Sequence, residues 1–141
     1  MIEYLRSLEE QVCQWPGVSA ANHRFGGRLF RLGRSEVGHV HNDGAVEIAF
    51  PRSFRDELIG EGMAQEHRTG PDGWVTFHIR QERDVQHALW LLRISYLRLA
   101  LKAVPDPPKR LEQESERLSL SPRIKDLLAR SIFGKRSSVA A

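Results

Sequence analysis

The chain has 141 residues, of which 40% are apolar and 28% charged. That suits one soluble globular domain with a core large enough to need no covalent staple. A single cysteine, Cys13, excludes an internal disulfide and fits a reducing cytoplasm, where the chain is expected. The net charge of +3 is local: residues 1–101 hold twelve arginines against thirteen acids, a net of −1, and residues 102–141 hold nine basic residues against five acids, a net of +4. The body therefore lacks the cationic excess that a DNA-binding surface needs.

The opening MIEYLRSLEE has no apolar leader core, so no secretion signal is expected. Residues 2–14 predict a helix, with Ile2, Leu5, Leu8 and Val12 on one stripe. Cys13 reads as a small core residue at its end. Trp15-Pro16-Gly17 stops the helix, because Pro16 drives its predecessor out of the helical region. The period then becomes two. Residues 22–25, Gly26-Gly27 and residues 28–32 read as strand, tight turn, strand. Residues 36–41 and 45–50 predict two more strands around Asn42-Asp43-Gly44, a turn whose residues accept positive φ. Pro51 opens a short helix with Phe54 and Leu58 inward. Residues 63–68 read as a strand, residues 69–73 as a turn, and residues 74–79 as the last strand.

Residues 84–102 carry the strongest signal. Val85, Leu89, Leu92, Tyr96 and Leu99 mark one helical face, and Trp90, Ile94, Leu97 and Leu101 a second, so this helix is expected to be buried or to meet two partners. Asp84, Arg93, Arg98 and Lys102 interrupt it too often for a membrane span. Residues 1–104 are thus expected to form one α+β domain, an antiparallel meander with helices on one face. Residues 105–120, opened by Pro105, Pro107 and Pro108, read as a polar linker or loose helix. Residues 121–141 read as a short basic amphipathic helix, capped by Ser121-Pro122 with Ile124, Leu127, Leu128 and Ile132 on its stripe, and a frayed end.

Several short runs, His23-Arg24-Phe25-Gly26-Gly27, Gly38-His39-Val40-His41 with Asp43-Gly44, Phe50-Pro51-Arg52 and Gly73-Trp74-Val75, resemble small bacterial proteins of the luciferase family over residues 15 to 99. The second half, with Gly-Trp-Val opening a strand and Ser95-Tyr96 in a helix, is similar to MmcQ/YjbR-type α+β domains, which carry a DNA-binding label. Neither resemblance assigns a catalytic residue to this chain, and light emission is not inferred from it.

Alternation sorts the sheet into two faces. Val40, Val46, Ile48, Phe50, Val75, Phe77 and Ile79 are expected beneath the long helix. The other face should carry His39, His41, Glu47, Trp74, Thr76 and His78, with Arg31 beside them. Two histidines at i and i+2 on a strand project side by side, which suits two ligands of one metal ion or two donors to one anion. The leading expectation is a small ligand-binding or protein-interaction domain with its ligand on His39, His41, Glu47, Trp74, His78 and Arg31. One alternative is a metal-dependent or acid–base enzyme in which His39, His41 and either Glu47 or His78 act together. Another is nucleic-acid binding through the basic tail, less favoured than packing of that helix on the domain or on a second copy of the chain. His23 reads as a turn residue, and His67 and His87 as surface positions. The cofactor, if any, is not named by any spacing: no CxxC pair, HExxH, P-loop or nucleophile elbow is present.

Overall fold

The computed structural model describes residues 2–24, 26–66 and 73–134. Among them, six strands form one antiparallel sheet and five helices accompany it, so the fold is α+β. In chain order these are α1 (Ile2–Val12), β1 (Val18–Asn22), β2 (Arg28–Leu32), β3 (Ser35–Val40), β4 (Ala45–Ala49), α2 (Arg52–Gly60), β5 (Gln65–Glu66), β6 (Trp74–His78), α3 (Glu82–Ala100), α4 (Pro107–Arg117) and α5 (Pro122–Phe133). No described helix is long and apolar enough to cross a membrane. The chain divides into two compact units, residues 1–96 and 97–141, with the boundary inside α3.

In the first unit the sheet order is β1-β2-β3-β4-β6-β5. The meander expected from the turn residues is therefore present, and α2 displaces β5 to the far edge. The core is the expected one for the most part: Val40, Val46, Ile48, Val75 and Ile79 are each at most 1% exposed. Phe77 departs from it, being half-buried. Among the described residues β5 pairs β6 only at Thr76 and Val75, so Phe77 has a neighbour strand on one side alone, at Val46 of β4. Cys13 is exposed rather than packed in the core, because α1 ends at Val12 and the chain is already turning. In α2, Phe54 and Leu58 face inward as expected.

Helix α3 covers β3 at close range. A Cβ on Gly38 would come within 2.6 Å of Leu92 Cδ2 and 3.1 Å of Ile48 Cγ1, so the strand lacks a side chain where the helix crosses it. The register of β2 and β3 slips between Phe30 and Arg31, leaving Val37 as the extra residue of a bulge. The buried Ser95 hydroxyl of α3 donates to the Val37 carbonyl at 2.7 Å, supplying the partner that a bulged carbonyl loses from its ladder. Tyr96 likewise donates to Pro16 O at 2.7 Å and packs on Trp15, with the Arg93 guanidinium over both rings.

The first strand lies earlier than expected, at Val18–Asn22 rather than 22–25. Pairing Val18 with Leu32 through Asn22 with Arg28 leaves residues 23–27 as a five-residue connection, not a two-residue turn. The expected turn at 69–72, His67 and the end at 136–141 lie outside the described residues.

In the second unit, residues 107–117 form a regular helix where a polar linker or loose helix was the sequence expectation. The Asp106 side chain accepts from Lys109 N–H, and Pro107-Pro108 occupy the first turn, where missing N–H groups cost nothing. Helix α5 begins as its residues predict: Ser121 Oγ accepts from Ile124 N–H, and Ile124 and Leu128 are fully buried.

Candidate metal centre

The strands β3 and β4 bring the site together. His39 lies on β3 directly opposite Glu47 on β4. His41 follows two residues on, so its side chain emerges on the same face. The turn after it is tightly specified: His41 N–H donates to Ala45 O, Gly44 N–H to His41 O, and Ala45 N–H to Asp43 Oδ1. The two imidazole centroids are 5.0 Å apart with their planes nearly perpendicular.

Both rings turn an Nε2 toward the same carboxylate oxygen. Glu47 Oε1 lies 3.0 Å from His39 Nε2 and 2.5 Å from His41 Nε2. On its far side, His39 Nδ1 is 2.8 Å from Glu36 Oε2. The result is a continuous chain, Glu36–His39–Glu47–His41, that dips inward from a carboxylate at the rim and emerges again at His41. Burial differs along it: the His39 side chain is 7% exposed, Glu47 13% and His41 26%. His39 is therefore not on an open polar face, as alternation suggested, but beneath its neighbours.

Burial pulls the His39 pKa down, but the hydrogen bonds to Glu36 and Glu47, with their charges, outweigh it and hold the pKa above its usual value. Carboxylates beside both nitrogens favour the protonated ring, which can donate at each end.

Of the residues expected on this face, Trp74 joins the group, its ring 5.4 Å from that of His39. His78 faces Ala45 across the β4–β6 ladder and lines a separate recess with Met63, Gln65, Phe77, Arg80 and His87. Arg31 is exposed on β2, opposite Glu36. His87 is not a bare surface residue: its Nε2 donates to Met63 O at 2.7 Å, and its ring packs on Phe77 and Trp90.

Two members were missed from sequence. Glu36 was read only as a strand residue, although its place three residues before His39 was visible. His23 was read only as part of a turn. Its backbone does serve the turn, with its N–H to Gly27 O and Gly26 N–H to its carbonyl. Its ring, however, stacks on His39 at 4.3 Å and meets His41 edge-on at 5.2 Å. Burial, and then the neighbouring His39 and His41, lower the His23 pKa. No spacing in the sequence signals this contact, which depends on the β1–β2 connection folding back over β3.

One ligand atom from each of His39, His41 and Glu47 lies within 4.8 Å of the others. Ligands at about 2 Å from a shared zinc ion lie roughly 3–3.5 Å from one another, so small side-chain rotations bring these three to one ion. His39 would bind through Nε2 while Nδ1–H stays on Glu36, the carboxylate–histidine–metal arrangement that fixes tautomer and ring orientation.

Residues 34–95 match the luciferase domain family. No curated protein and no solved structure matches the chain.

Proposed function

We propose that this chain binds a small ligand through a divalent transition-metal centre, built from Glu36, His39, His41 and Glu47 with Trp74 beside them, all within the span 34–95 that matches the luciferase domain family. His39 and His41 supply nitrogen ligands, Glu47 an oxygen ligand, and Glu36 orients His39. The convergence of His39 Nε2 and His41 Nε2 on Glu47 Oε1 carries the reading. Two imidazoles and a carboxylate suit zinc or ferrous iron and leave positions open for water or a ligand donor atom. Trp74 packs its ring beside that of His39.

In the metal-free protein the shared Glu47 oxygen is held by imidazole N–H groups. An ion replaces the proton of His39 Nε2, so binding releases protons. The test is titration of chelator-treated protein with zinc and with cobalt(II). One ion per chain is expected, and His41→Ala or Glu47→Gln should weaken binding by more than the roughly 10- to 100-fold of an outer-shell loss. A wild-type protein that takes up neither metal would end this reading.

A second reading uses the same residues as an acid–base relay, favoured by the unbroken hydrogen bonding from Glu36 to His41. It predicts that ligand binding without metal responds to His41→Ala. Nucleic-acid binding by the basic tail has weaker support, since Arg117, Lys125 and Arg130 are ion-paired with Glu114, Glu112 and Asp126.

A further inference from the structure

We propose that His23 is a fourth protein ligand of this centre, delivered by the connection between β1 and β2. The inference rests on the metal reading above and extends it to a residue outside the matched segment 34–95.

Three observations carry it. First, the His23 ring touches both histidines of the centre, stacked on His39 at 4.3 Å and edge-on to His41 at 5.2 Å. Second, the turn is held by backbone groups, His23 N–H to Gly27 O and Gly26 N–H to His23 O. Those bonds use backbone atoms alone, so the turn keeps its place whatever the imidazole does. Third, the connection is pinned against the site strand. Gly27 has φ +87°, and a Cβ on it would run into the Val40 carbonyl and His41 Cα. Only glycine permits that approach, and the approach is what holds His23 above β3.

The His23 nitrogens are not among the ligand atoms that lie within 4.8 Å of one another. The ring lies over His39 instead. Rotation about its side-chain bonds, with the turn backbone fixed, exchanges a stacking contact for a metal–imidazole bond, which is far the stronger of the two. Three histidines and a glutamate then complete a four-coordinate set of the kind that suits zinc. An incoming ligand would compete with His23 for its position.

The direct test is long-range proton–nitrogen NMR of the histidine side chains in the wild-type full chain, with and without zinc. Metal ligation moves one ring nitrogen of each bound histidine. Shifts at His39, His41 and His23 together support the proposal. Shifts at His39 and His41 alone overturn it and leave the metal centre standing. No histidine shift overturns both. As a second measurement, His23→Gly should bind cobalt(II) roughly tenfold or more weakly, and added imidazole should restore both the affinity and the visible spectrum of the wild type. Equal affinity and an unchanged spectrum in His23→Gly would also overturn it.

Discussion

His39 is the residue on which the site turns. It is buried, yet it holds a carboxylate at each nitrogen, and its pKa is raised despite the burial that opposes this. A histidine whose folded pKa lies above its unfolded value of about 6.5 stabilises the fold fully below that unfolded value and loses the contribution as pH rises through the folded one. Metal-free protein is thus expected to lose stability as pH rises from about 6.5 through the raised folded pKa of His39. Urea unfolding in chelator across that range measures it, with His39→Gln as the control; an equally steep loss in the variant would assign the effect elsewhere. Metal affinity should run the opposite way and rise over the same range, because the ion competes with the proton. Glu36→Gln keeps the shape of the outer partner and removes its charge, so it is expected to weaken metal binding by roughly 10- to 100-fold without disturbing the three ligands.

At the scale of elements, the bulge in β3 and the helix above it are one device. Val37 is the residue left over in the register, and Ser95 answers its carbonyl. Removing that hydroxyl orphans a buried acceptor, so Ser95→Ala should cost about 1–3 kcal/mol, read as a lowered denaturant midpoint at unchanged slope. One residue further on, Gly38→Ala would drive a methyl against Leu92 and Ile48. Overpacking of that kind typically costs about 1–3 kcal/mol. Because Gly38 immediately precedes His39, its variant should also loosen the centre, whereas Ser95→Ala should leave metal affinity nearly unchanged. Equal losses of affinity in the two would argue against placing the helix–strand crossing directly behind the site.

Across the whole molecule, metal binding and stability are linked. An ion bound only by the folded state stabilises it by about 2.7 kcal/mol at a free concentration 100 times Kd. For a chain of this size that amounts to a rise in Tm of several degrees, at roughly 2–4 °C per kcal/mol. Zinc should raise the Tm of the wild type and leave that of a His39→Ala, His41→Ala double variant where it was. A rise of the same size in both would point to a site elsewhere. Charge is also distributed at this scale, with a net of −1 over residues 1–101 and +4 beyond. Any affinity for nucleic acid should therefore reside in the tail and fall steeply with salt.

How much of this was legible varies with the range of the interaction. The α+β class, the meander, the long helix and the pairing of His39, His41 and Glu47 on one face all follow from alternation and turn residues, which act over two to four positions. The helix at 107–117 was harder to read, because its stripe is buried through Leu111, Glu114 and Ser115 rather than through a row of aliphatic residues. The sequence by itself determined which residues could share a face, since side-chain direction follows from local backbone period. Only the tertiary structure decided that His39 is buried, that Glu36 backs it, that His23 lies over it and that His78 does not join it. Those outcomes depend on register and on how a five-residue connection folds across a neighbouring strand, and neither is encoded in local spacing.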